Sequence, residues 1–162
     1  MKVLSYKGKK VEKDEWAVGA ALPLDDGRCL ILRKNSMGII TSYEVDPNSI
    51  SLSTGEKDKY SNEVFTEDFI KVTYPSGQAL FGIVKYGHLD EGMFSSPISE
   101  TVYPGLHIDW IDCNYEKSEH FIKQFSHWFS RENAFIEVIG NSFDNPELFN
   151  SSPLPEYTDP DD

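Results

Sequence analysis

Residues 68–87 read DFIKVTYPSGQALFGIVKYG. Two apolar-rich runs, Phe69 to Tyr74 and Ala79 to Tyr86, flank Pro75-Ser76-Gly77-Gln78. Side chains alternate across a strand, so Phe69, Lys71 and Thr73 share one side and Ile70, Val72 and Tyr74 the other. Proline presets the entry to a turn and glycine supplies a positive φ within it. The segment reads as a β-hairpin. Gly82, inside the second strand, marks a bulge or a close packing site.

Outward from this hairpin the chain repeats the pattern. Trp16 to Leu22, Cys29 to Arg33 and Ile39 to Val45 read as strands, joined by turns at Asp25-Asp26-Gly27 and Asn35 to Gly38. They form an antiparallel meander, which Asp46-Pro47-Asn48 ends. Ser51 to Asn62 (SLSTGEKDKYSN) is polar and reads as a loop. Gly105 to Cys113 and Ala134 to Ile139 read as further strands, and Asp144 to Asn150 as a short helical turn. Phe121, Ile122, Phe125, Trp128 and Phe129 fall on one stripe at helical spacing, which predicts an amphipathic helix over about 115–131. Glu116 and Glu119 lie near its positive end and Arg131 near its negative end. The expectation is an α+β fold: an antiparallel sheet of about six or seven strands with that helix packed on it. Residues 1–150 are expected to form one domain, and residues 151–162, with Pro153, Pro155 and Pro160, a mobile acidic tail.

Charge narrows the partners. The 162 residues carry 27 Asp plus Glu against 15 Lys plus Arg, for a net charge of −12. Contact with nucleic acid requires a surplus of basic residues, and so does docking on an anionic membrane; the surplus here is acidic. The charge is uneven. Residues 1–13 hold five lysines and one glutamate, a local +4, whereas residues 143–162 hold six acids and no base. No apolar run approaches the roughly 20 residues of a membrane span. No secretory signal stands at the start. A cytoplasmic protein is expected, with Cys29 and Cys113 as reduced, buried thiols.

The chain carries no motif of known chemistry. There is no nucleophile elbow and no glycine-rich phosphate loop. Cys113 is flanked by Asp109, Asp112, Glu116 and Glu119, which disfavour a reactive thiolate. His120 and His127 are seven residues apart, about 10.5 Å along a helix, too far to share one ion. His107 and Asp109 alternate onto one strand face and are a legitimate ligand pair, so a metal-dependent hydrolase built on them is one alternative. No cofactor is expected.

Two resemblances follow. The hairpin DFIKVTYPSGQALFGIVKYG is loosely similar to a strand pair of SH3-like barrels of the Tudor and KOW kind, on alternation and glycines over about 20 residues. In size, acidity and lack of motifs, the chain resembles bacterial toxin-immunity proteins as a class. That resemblance implies a non-enzymatic, acidic binding protein that neutralises a basic partner, such as a nuclease-type toxin. The basic segment 1–13 departs from a wholly acidic inhibitor. The contact patch implied is Asp109, Asp112, Glu116 and Glu119 with Tyr115 as an aromatic anchor. A second candidate patch is Glu63, Glu67 and Asp68. An accessory role in a phage or secretion assembly is the other alternative.

Overall fold

The computed structural model describes residues 5–87, 105–111 and 133–150. They contain ten strands: β1 (Tyr6–Lys9), β2 (Trp16–Pro23), β3 (Cys29–Lys34), β4 (Ile40–Val45), β5 (Ser51–Lys57), β6 (Glu63–Phe65), β7 (Asp68–Thr73), β8 (Ala79–Gly87), β9 (Gly105–Ile111) and β10 (Ile136–Asn141). Two sheets result, with orders β4-β3-β2-β1-β5-β6 and β10-β7-β8-β9. Strand makes up 58% of the described residues, and none of them forms a helix of seven residues or more. The longest α-helix there is α1 (Glu147–Asn150). This overturns the expected α+β class with a single sheet of six or seven strands. The helix expected over 115–131, Cys113 and the tail 151–162 lie outside the described residues.

The three additional strands are β1, β5 and β6, and polarity hid the first two. β1 (YKGK) lies in the basic N-terminal segment, and β5 (SLSTGEK) lies where a loop was expected. β6 is three residues long. Their own side chains carry little strand signal, and their backbone pairing is supplied by neighbours distant in sequence. β1 pairs antiparallel with β2, Tyr6 opposite Gly19, and with β5, Tyr6 opposite Leu52. The meander β2-β3-β4 is as expected, with Ala21 opposite Ile31 and Ile31 opposite Tyr43.

The residues divide into two compact units: 5–56 with 63–66, and the remainder beginning with 57–62 and 67–87. In the first unit the chain beyond β1 returns to β4. Lys10 bridges to Val45, Val11 N–H donates to Glu44 O at 3.1 Å, and Asp46 N–H donates to Lys9 O at 2.8 Å. The sheet therefore curls around a core of Ala17, Cys29, Ile31 and Val45, with Tyr6, Ala21, Tyr43 and Ile50 against it. Gly8 is required by this curl, since a Cβ there would lie 2.7 Å from Val45 Cγ2. After β4, Asp46 caps a 3-10 turn at Pro47–Ser49 by accepting from Asn48 N–H.

In the second unit β7 pairs with β8, Val72 opposite Leu80, as the hairpin reading predicts. Phe69 and Ile83 are buried on one face, while Ile70, Val72 and Val84 are buried on the other. Alternation alone assigned the sides correctly but did not show that both are covered. β10 pairs with β7 through Ile136 opposite Val72, and its register shifts between Val138 and Gly140. β9 pairs with β8 and forms the other side of the sheet.

Four turns share one geometry. In Leu24–Arg28, Asn35–Ile39, Asp58–Asn62 and Tyr74–Gln78 the first N–H donates to the fifth carbonyl, and the fourth N–H donates to the first carbonyl. This is a tight turn closed by a residue in the left-handed region. Gly27, Gly38 and Gly77 hold that position with φ of 87°, 82° and 87°. In the third turn Ser61 holds it, at φ 64°.

Candidate functional site

The expected contact residues fall into three groups. Asp112, Tyr115, Glu116 and Glu119 lie outside the described residues. Asp109 lies on β9, partly buried, at the register opposite Ile83. His107 sits two residues earlier on the same strand, at the register opposite Lys85. Among the described residues, no three His, Cys, Asp or Glu side chains are grouped to hold a metal ion.

Glu63, Glu67 and Asp68 are described, and each does something different. Glu63 opens β6 in the first unit, is exposed, and accepts a 2.5 Å hydrogen bond from Ser53 Oγ. Asp68 opens β7 and is 1% exposed, so its carboxylate is interior. Glu67 is the centre of a small polar cluster in the second unit. Its φ is 68°, a conformation that costs a non-glycine residue roughly 1 kcal/mol. Four contacts hold it there. Its N–H donates to Val84 O at 2.7 Å and its carbonyl accepts from Ser142 N–H at 3.0 Å. Its carboxylate accepts from Lys85 Nζ at 2.8 and 2.9 Å and from Ser142 Oγ at 2.9 Å. The cluster joins the start of β7 to β8 and to the end of β10. Both members of the ion pair keep about a third of their side-chain surface exposed.

A second carboxylate was absorbed into an expected loop by the sequence reading. Asp58 is 3% exposed and accepts hydrogen bonds from the N–H groups of Tyr60 at 2.9 Å, Asn62 at 2.9 Å and Val138 at 3.0 Å. Asn62 Nδ2 adds a fourth at 3.3 Å. Burial pushes its carboxyl up, but the N–H donors from Val138 and Asn62, with Asn62 Nδ2 and Tyr60, outweigh that and hold it below the ordinary range. An aspartate two residues before a turn's backbone N–H is a recognisable side-chain turn signal. The donor from Val138, 80 residues away, has no signal in sequence.

Three lysines of the basic N-terminal segment, Lys7, Lys9 and Lys10, are engaged in place. Lys7 is 9% exposed, with its Nζ 4.8 Å from the ring centroids of both Trp16 and Phe65. Lys9 pairs with Asp14 and lies 5.4 Å from the Trp16 ring. Lys10 pairs with Glu15 at 2.8 Å and sits 4.2 Å over Tyr43. A cation over an aromatic face is attracted by the ring quadrupole, and an adjacent carboxylate neutralises it. These lysines build the strand and form no basic arm. Glu15 is held below the ordinary carboxylate range by the hydrogen bond from Lys10.

The model of the family described as "YopX protein" matches residues 25–150. The chain belongs to the YopX protein family. That match spans β3 to β10, including the paired β7 and β8 and the cluster around Glu67. Among solved structures, protein EF1440 from Enterococcus faecalis is similar at 17% identity and a TM-score of 0.43, covering 90% of this chain and 97% of that one. No curated protein matches the sequence. Among the described residues no helix is long and apolar enough to cross a membrane.

Proposed function

We propose that this YopX-family chain is a non-enzymatic acidic binding protein that engages a basic protein partner, as an immunity protein engages a nuclease-type toxin. The observation that carries the reading is the fate of the N-terminal lysines. The segment of local positive charge is the feature least compatible with an acidic inhibitor. Lys7, Lys9 and Lys10 are spent on Trp16, Phe65, Tyr43, Asp14 and Glu15. These three lysines therefore form no basic arm to set against the overall charge of −12. A field of that sign speeds encounter with a basic surface and repels acidic ones. The contact residues in this reading are Asp109, Asp112, Tyr115, Glu116 and Glu119, with Glu63 of the first unit and Glu67 of the second as separate further candidates. Asp68 is interior and serves the fold. The compartment that fits is the cytoplasm.

Affinity capture with the full chain, followed by reconstitution with the purified partner, tests the reading. A basic partner is expected, with an affinity that falls steeply as salt rises. Expression of that partner alone should arrest growth, and co-expression should relieve it. Charge reversal of Glu116 and Glu119 should weaken the complex by about tenfold or more while leaving the thermal transition unchanged. A neutral or acidic partner, or a salt-independent affinity, would overturn the reading.

A further inference from the structure

β4 has an open edge. It pairs with β3 along Ile40 to Val45, and on its other side Glu44 O accepts from Val11 N–H. In an antiparallel strand alternate residues turn their N–H and C=O to the same side. Glu44 faces the outer side, so Ser42 and Ile40 face it too. Among the described residues no strand pairs with them there. Ile40, Thr41 and Ser42 are exposed, Ile40 by 66%. An exposed, β-branched edge of this kind is a template for an additional strand.

The surface beside that edge is apolar and basic. On the outward face of the meander, Leu22 lies opposite Leu30, Ala20 opposite Leu32, and Lys34 opposite Ile40. Leu22 is 43% exposed, and the hairpin tip adds Met37 at 78% and Ile39 at 56%. Arg33 and Lys34 are exposed at the same end, and no acid occurs between Cys29 and Tyr43. A chain of net charge −12 thus carries one strand edge of the opposite sign.

We propose that this edge docks an extended segment of another protein, rich in apolar and acidic residues, as an added strand on Ile40 to Ser42. Main-chain hydrogen bonds to Ile40 and Ser42 would hold it, apolar side chains would cover Ile40 and Leu32, and the carboxylates alternating with them would lie on the face of Arg33, with Lys34 adding positive charge at the same end. A second copy of the chain fits less well. Its own edge presents Ile40, Thr41 and Ser42, with no carboxylate to meet Arg33. An anionic bilayer is opposed by the overall charge. The proposal concerns β4 and basic side chains, and none of the acidic contact residues, so each reading fails separately.

The test is fluorescence anisotropy of the full chain with a labelled peptide of alternating Val and Glu, about ten residues long. Binding is expected, weakened about tenfold or more in Ser42→Pro and in the double variant Arg33→Glu with Lys34→Glu. Proline is tolerated on a strand edge facing solvent, and circular dichroism checks the fold. Should Ser42→Pro not fold, the charge variant decides the matter alone. A matching Val–Lys peptide should not bind. Four results would overturn the proposal: no binding of the Val–Glu peptide, equal binding by the charge variant, equal binding of the Val–Lys peptide, or dimerisation abolished by Ser42→Pro. Flotation with phosphatidylglycerol vesicles, lost in Met37→Asp, would assign the surface to a bilayer instead.

Discussion

The turns Tyr74–Gln78 and Asp58–Asn62 have the same two backbone hydrogen bonds and opposite kinds of support. In the first, Pro75 presets the entry and Gly77 takes the left-handed position at φ 87° without steric cost. Nothing outside the turn is needed to explain its shape. In the second, Ser61 adopts φ 64°, which the Cβ resists, and the turn is closed by the buried Asp58 carboxylate. That carboxylate also takes the Val138 N–H, while Lys59 N–H donates to Ile136 O and Lys59 Nζ pairs with Glu137. One turn is specified by its own residues. The other is specified by the strand it meets. Backbone strain tolerated in this way persists where the surroundings over-determine it, as they do also at Glu67.

Removing Asp58 should produce the largest effect and break the second turn alone. Asp58→Ala strands the N–H groups of Tyr60, Asn62 and Val138, and should cost about 2–4 kcal/mol in urea unfolding. Ser76→Ala in the first turn should cost less than about 0.5 kcal/mol. The same carboxylate predicts a pH dependence. Its folded-state pKa is depressed, so its stabilisation is fully present above the unfolded value near about 3.9 and is lost as pH falls through the folded value. Unfolding curves at a series of acid pH values should therefore fall more steeply for wild type than for Asp58→Asn. Equal slopes would remove Asp58 as the linked group.

The next effect sharpens the comparison from the other side. Gly77→Ala forces a Cβ into the left-handed region and should destabilise by about 1–2 kcal/mol, although nothing lies within 4 Å of the added atom. A neutral result would show that the turn relaxes. The smallest effect has the opposite sign. Ser61→Gly relieves the strained position and should stabilise by about 0.5–1 kcal/mol, read as a shift in the denaturant midpoint. A loss of stability there would mean that the Ser61 side chain makes a stabilising contact of its own.

The same contrast explains how far the fold was legible. β2, β3, β4, β7, β8, β9 and β10 each carry apolar alternation and, in the hairpins, a glycine turn, and each falls within a few residues of its expected place. β5 is polar and runs into a turn with serine where glycine is diagnostic, so its sequence reads as loop, and β6 is too short at three residues to show a period. β1 was read as a basic segment because a lysine's packing on Trp16 and Phe65 has no periodic signature. The candidate site was legible to a lesser degree. Glu67 was singled out for its charge, but its partners Lys85 and Ser142 lie 18 and 75 residues away. Asp68, chosen for the same reason, is interior.

Composition and local pattern by themselves determined the acidity of this protein, the meander, the β7–β8 hairpin and three of its four like turns. These depend on backbone sterics and on alternation within a few residues, which a sequence displays directly. Tertiary structure decided the division into two sheets, the burial of both faces of β7, the engagement of Lys7, Lys9 and Lys10 and the partners of Asp58 and Glu67. Those depend on which distant strands meet, and a hydrogen bond across 80 residues leaves no mark on either end of the chain that makes it.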